Sequence, residues 1–274
     1  MPSTKRISIL SDNRSAEPGR FRCEHGLSAL VRTPSCQILM DTGASDAFAD
    51  NAERMGIDLS EVDYVFISHG HADHAGGLRT FLERNRKAKV IVSPDAVSGR
   101  FCSARGGMHA ISCEWPLDLM QGRTLYAGES ITLAGSIHVI ARIPGTHAQP
   151  SGNRLLFAGR DGEYVPDDFR HELVLYWDGL CYTGCAHSGL ENILEACPRP
   201  VGSVLGGFHL PDARDDLLFE PESELAGLAE RLARQYPQVT FLTGHCTGDA
   251  AFRAMRPVLG PRLRQFACGM EITL

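Results

Sequence analysis

Seven consecutive residues, Ser68-His69-Gly70-His71-Ala72-Asp73-His74, constrain this chain more than any other part of it. They follow directly on the unbroken apolar run Tyr64-Val65-Phe66-Ile67, which reads as a fully buried strand. Ligand-type side chains at a strand end sit where α/β folds gather their functional loops. Alternate side chains of an extended segment share one side, so His69 and His71 can meet one ion while Asp73 and His74 turn towards a second. Neutral imidazoles with a carboxylate suit zinc, and manganese or iron as alternatives.

Other segments supply the framework. Residues 5–10, 27–32 and 37–40 read as strands, the last ending at Asp41-Thr42-Gly43. Ser45 or Asp46 can cap a helix to about residue 55, with Gly56 as its stop. A helix over 75–86 and a strand over 89–92 follow. Residues 98–168 are the least regular part, with strands expected at 123–133 and 137–143. Irregular stretches of this kind often carry substrate loops, so substrate choice is assigned there. Beyond it, 172–177 and 180–183 form a hairpin about Asp178-Gly179. A helix to residue 196, a strand 201–205, an amphipathic helix 222–235 and a strand 239–242 complete the pattern. Residues 36–74 and 181–209 share one plan: strand, polar loop, helix, then a buried strand ending in a histidine-bearing loop. That predicts two related sheets packed face to face with helices outside, in a single domain spanning 1–274.

Further ligands must come from elsewhere in the chain. His187, His209 and His245 each follow an apolar strand and lie close to a glycine. Three at matching positions, beside a metal-type motif, become ligand candidates. Cys185 stands two residues before His187 and is either a thiolate ligand or a small buried residue. Asp41 either accepts the second N–H of a ligand histidine or caps the following turn. His25, His109, His138, His147 and His171 read as ordinary hydrogen-bonded residues.

Composition narrows the partners. A net charge of −6 with no basic block argues against nucleic acid. No apolar run is long enough to span a bilayer, and the first residues lack the apolar stretch of a signal peptide. The nine cysteines do not fall into paired CxxC spacing, which suits a reducing cytoplasm. A small-molecule substrate is the remaining expectation.

The His69-x-His71-x-Asp73-His74 motif, with Asp41-Thr42-Gly43 upstream, resembles the metallo-β-lactamase superfamily. More narrowly, the chain resembles the branch named for dihydropterin–ribofuranosylaminobenzene phosphate synthase. That likeness rests on Glu24-His25-Gly26-Leu27-Ser28, the 68–78 stretch, Thr183-Gly184-Cys185-Ala186-His187-Ser188-Gly189, Gly206-Gly207-Phe208-His209-Leu210 and Thr243-Gly244-His245-Cys246-Thr247-Gly248. It departs from the pattern at Gly184-Cys185, where the superfamily commonly has Gly-Asp. It departs again at Asp167-Asp168-Phe169-Arg170-His171-Glu172 and at Ala141-Arg142-Ile143-Pro144-Gly145. The resemblance implies an α/β fold of αββα four-layer sandwich type with a metal centre at one edge. It implies His69, His71 and His187 on one ion, and Asp73, His74 and His245 on the other. A metal-activated water would then attack a small phosphorylated or ester-type substrate, with Asp73 orienting the water. His209 would serve the leaving group or an anionic substrate, and the amides of Ser188 and Gly189 would meet phosphate. Of the neighbours Cys185 and His187, the weight falls on His187 as direct ligand, with Cys185 beside it. Two other classes stay open: a metal-dependent transferase like the branch's synthase, and a non-catalytic metal-dependent sensor.

Overall fold

The computed structural model describes residues 4–133, 136–213, 217 and 219–274. Residues 1–3, among the first residues read for a signal peptide, and 134–135, inside the irregular segment, lie outside the described residues.

Strand Gln37–Met40 runs antiparallel to Ser28–Arg32 on one side and parallel to Tyr64–Phe66 on the other. It lies in a seven-stranded sheet that continues outward to Lys89–Val92 and Thr124–Tyr126, and in the other direction to Arg6–Ser11 and Glu271–Thr273. Leu180–Thr183 repeats that local plan. It is antiparallel to Leu173–Trp177 and parallel to Ser203–Leu205, which is parallel in turn to Thr240–Thr243. The second seven-stranded sheet is completed by Leu263–Gln265 at one edge and by Ile137–Ala141 and Ile131–Thr132 at the other. The matching halves expected from the sequence are thus matching sheets.

Side-chain alternation builds the layers. Ile7, Ile9, Ile38, Met40 and Phe66 of the first sheet pack with Val139, Leu173, Leu175, Tyr182 and Leu205 of the second, forming the core between the sheets. The intervening positions face outward. Leu10, Leu39, Val65 and Val90 meet Phe48, Leu78, Phe81 and Leu82 from the helical segments of the first half. Val174, Cys181, Val204 and Phe241 meet Ile193, Leu225, Leu232 and Met255 from Leu190–Ala196, Glu222–Gln235 and Asp249–Leu259. The result is the expected four-layer αββα sandwich. Among the described residues, no helix is long and apolar enough to cross a membrane.

Three expectations change. The helix assigned to 75–86 is two helices, Ala72–Ala75 and Leu78–Arg84, interrupted at Gly76-Gly77. There the chain passes so close to the Asp41–Ser45 loop that a Cβ on Gly77 would lie 2.3 Å from the Thr42 carbonyl oxygen. The stretch 123–133 is not one strand: Thr124–Tyr126 belongs to the first sheet and Ile131–Thr132 to the second, so this segment crosses between them. Finally, the irregular middle builds its own antiparallel sheet from Glu163–Pro166, Leu156–Arg160, Phe101–Ser103 and His109–Ala110.

Candidate metal centre

Five loops that build the site leave the carboxyl ends of parallel-paired strands. Asp41 follows Gln37–Met40, Ser68 to His74 follow Tyr64–Phe66, Cys185 and His187 follow Leu180–Thr183, His209 follows Ser203–Leu205, and His245 follows Thr240–Thr243. Asp41, Ala186, His209 and His245 have φ between 49° and 54°, in the left-handed region. Such backbone persists only where its surroundings enforce it, and it clusters at functional sites.

His69, His71 and His187 form one group. Their ligand atoms lie within 4.8 Å of one another, and the Nε2 atom of each is buried without a hydrogen-bond partner. An unpartnered buried polar atom costs about 1–3 kcal/mol. Three aimed at a common point fit a cation. Neighbours select the ring tautomers. Ser68 Oγ donates to Asp41 Oδ2 (2.7 Å) and accepts from His69 Nδ1 (2.9 Å), leaving the lone pair of His69 on Nε2. His187 Nδ1 donates to Asn153 Oδ1 (3.1 Å), with the same consequence. Burial, reinforced by neighbouring rings, keeps His69 and His187 far less basic than usual and lowers His71 to about 3. These three imidazoles are neutral at physiological pH, as ligation requires.

The second group lies against the first. His74 Nδ1 donates to Asp41 Oδ2 (2.7 Å), which turns His74 Nε2 inward to 3.1 Å from His245 Nε2 and 3.2 Å from Cys185 Sγ. Asp73 Oδ2 stands 3.4 Å from His245 Nε2 and 3.4 Å from His25 Nε2. Burial alone would raise the Asp73 pKa, but His74 and His245 outweigh it and hold the carboxyl well below its usual range. His245 moves up to about 9, because Asp73 and Cys246 overcome the effect of burial. Asp41 also accepts the Ser68 amide (2.7 Å) and the Tyr182 hydroxyl (2.7 Å). Its carboxylate therefore orients His74 directly and His69 through Ser68, the supporting alternative raised for it from sequence.

A family described as the metallo-beta-lactamase superfamily matches residues 22–112. An uncharacterized protein of Methanocaldococcus jannaschii is 30% identical over 251 residues, 89% of this chain and 91% of that protein. The chain belongs to the metallo-β-lactamase superfamily. Within it, a solved metal-dependent hydrolase of the β-lactamase superfamily has 29% identity and a TM-score of 0.80, covering 98% of this chain and 99% of that one. The 7,8-dihydropterin-6-methyl-4-(beta-D-ribofuranosyl)-aminobenzene-5'-phosphate synthase of Methanocaldococcus jannaschii is 25% identical over 268 residues, 90% of this chain and 88% of that protein.

For a metallo-β-lactamase-superfamily chain, some sequence expectations about the site need correction. Ser188 and Gly189 do not offer free amides for phosphate. Ser188 N–H donates to Glu172 Oε2 (2.8 Å), His187 N–H to Glu172 Oε1 (2.8 Å), and Gly189 N–H to the Ala186 carbonyl (2.9 Å). The buried carboxylate of Glu172, just before the strand Leu173–Trp177, already occupies that helix start. Cys185 and His187 are not rivals for one position. His187 Nε2 faces His69 and His71, whereas Cys185 Sγ can group with His69 and His74, with His187 and His209, or with His245 and Cys246. His209 has both ring nitrogens buried and unpartnered, 4.3 Å from the His187 ring by centroids.

Two residues at the site were missed. His25 has a ring 4.8 Å from that of His245 and shares Asp73 with it. The Glu24-His25-Gly26 stretch was the available signal. Cys246 places Sγ 3.2 Å from Cys185 Sγ. Its place beside His245 in the Thr243–Gly248 stretch was the available signal. The ordinary reading of His171 agrees with its place: it accepts the Gly70 amide at Nδ1 (3.0 Å) and donates to Asp167 from Nε2 (3.1 Å).

Proposed function

We propose that this chain is a metal-dependent hydrolase of a small phosphorylated or ester-type substrate, with zinc at up to two positions. The observation that carries the reading is the set of three buried Nε2 atoms, on His69, His71 and His187, that converge without partners. These residues would hold one ion, and Asp73, His74, Cys185 and His245 would hold the other. Such ions, when bound, lower the pKa of water and stabilise negative charge as it develops.

The protein supplies the rest. Asp73, with its side chain 23% exposed, is partly open to solvent and can orient a water by accepting its hydrogen bond at Oδ2. His209 presents nitrogens with no other partner, suited to an anionic substrate oxygen or to returning a proton to the leaving group. Phe169 stacks on the His187 ring at 4.5 Å and shields that side from solvent. All nine cysteines are free thiols, which supports a reducing, cytoplasmic setting.

Similarity to the pterin-pathway synthase favours one second reading, a group transfer at the same site. Turnover in oxygen-18 water separates the two. Label entering the product from solvent on a panel of phosphate esters, phosphodiesters and carboxylic esters supports hydrolysis. Turnover without label supports transfer.

A further inference from the structure

We propose that Cys246 is a further ligand of the second ion, so that two thiolates, Cys185 and Cys246, stand beside Asp73, His74 and His245 in its donor set. The inference rests on the metal-centre reading above and goes beyond it, since neither the motif nor the histidine set calls for sulfur at position 246.

The geometry is a continuous run of donor atoms. Cys246 Sγ is 3.2 Å from Cys185 Sγ, Cys185 Sγ is 3.2 Å from His74 Nε2, and His74 Nε2 is 3.1 Å from His245 Nε2. Cys185, His245 and Cys246 also form a group whose donor atoms all lie within 4.8 Å of one another. Both thiols are free.

The surroundings of Cys246 suit a thiolate. The His209 amide donates to its sulfur at 3.2 Å, a bond that is stronger when the acceptor is charged. The place of the sulfur depends on Gly207, where a Cβ would stand 2.3 Å from Cys246 Sγ. His245, which precedes it, sits at φ 52°, in the left-handed region that clusters at functional sites.

Chemistry follows from this donor set. Thiolates are soft ligands that favour zinc over manganese, so the second position would discriminate between ions that an oxygen-and-nitrogen shell separates poorly. A thiolate shell also lends the ion more charge. The second ion would then be the more tightly held and the weaker Lewis acid, leaving activation chiefly to the ion on His69, His71 and His187.

The test is a cobalt titration of chelator-stripped protein under a phosphine reductant, read by absorption. Sulfur ligands give a near-ultraviolet charge-transfer band, which nitrogen and oxygen ligands do not. Wild type should show the band. Cys246→Ser and Cys185→Ser should each keep about half of it, and the double variant none. Circular dichroism controls for folding. A wild-type experiment stands beside it: zinc should protect Cys246 from alkylation, mapped by peptide mass, and a chelator should expose it. A full-strength band in Cys246→Ser, or equal alkylation of Cys246 with and without zinc, overturns the proposal and leaves the histidine centre standing. Failure of wild type to take up any cobalt or zinc overturns the centre itself.

Discussion

Asp41 shows how much chemistry one carboxylate can organise. It accepts from Ser68 twice, from His74 and from Tyr182, and it is fully buried. Asp41→Ala is expected to weaken zinc binding about 10–100-fold, measured by competition with a chromophoric chelator. Unchanged affinity would mean that packing alone orients His74. The sequence suggested this role because a carboxylate ended a strand next to a ligand motif. It could not show that Tyr182, far away in the chain, completes the set. Cys246 was hidden for a similar reason: only the approach of two loops makes its sulfur a neighbour of Cys185. Away from the centre, burial pushes the Cys268 thiol up to about 12. Its sulfur accepts from Asn51 Nδ2 (3.1 Å) and donates to the Leu10 carbonyl (3.3 Å). A thiol whose folded pKa exceeds its unfolded pKa stabilises fully below the unfolded value, near 9, and that contribution fades as pH rises towards the folded value. Urea unfolding at pH 8 and pH 10.5 should therefore show a loss on the order of 1 kcal/mol per pH unit above the crossing. Cys268→Ala should be less stable at pH 8 but lose less on going to pH 10.5. An equal loss in both proteins would assign the alkaline effect elsewhere.

At the scale of elements, periodicity and turn chemistry carried the reading where a segment obeys one rule. Glu222–Gln235 has an apolar stripe of Leu225, Ala229 and Leu232, and it lies where the pattern placed it. The hairpin about Asp178-Gly179 forms with Trp177 opposite Leu180. Reading failed where contacts from a distant segment decide. Gly77 has φ −82°, an ordinary value, so its requirement is for space against the backbone oxygens of Thr42 and Ser45. Gly77→Ala is expected to destabilise by about 2–3 kcal/mol, because two of the three obstructing atoms are backbone oxygens that cannot swing aside and the third belongs to the buried Phe48 ring. Thermal denaturation of the metal-free variant measures this, and an unchanged midpoint would show that the loop gives way. The occupied amides of Ser188 and Gly189 teach the same point. A helix start after a glycine looks like an anion site in sequence, but Glu172, just before the strand Leu173–Trp177, is already there.

The whole molecule separates folding from metal binding. Each of its three apolar layers closes without help from the centre: one between the sheets and one under each helical layer. The motif and the repeated strand plan made that sandwich legible. The small sheet of the middle segment was not legible, since its strands are two to five residues long and the pairing that joins its two local hairpins, Leu156–Arg160 with Phe101–Ser103, spans a long interval. That sheet reaches the centre through packing: Phe101 lies 5.5 Å from the His71 ring, and the Ala72 amide donates to the Ile111 carbonyl (2.7 Å). Asn153, from the short helical turn before Leu156–Arg160, orients His187. Exchange of residues 98–168 for those of a relative should therefore change both the substrate profile and the zinc affinity, and constancy of both would refute the assignment of substrate choice to this segment. A change inside the motif should do the reverse, leaving the fold and removing the metal. His71 contributes a buried Nε2 with no partner, so the metal-free protein gains nothing from that atom. His71→Ala removes it, and what is lost with it is ring packing against Phe101, His69, His171 and His187. The expectation is near-wild-type circular dichroism and a metal-free thermal midpoint within a few degrees of the parent's, with zinc content reduced by at least one ion and turnover abolished. A small zinc domain behaves otherwise, because its fold is built by the metal. Unfolding of His71→Ala in the absence of zinc would place this centre inside the folding nucleus of the sandwich, contrary to what its three closed layers imply.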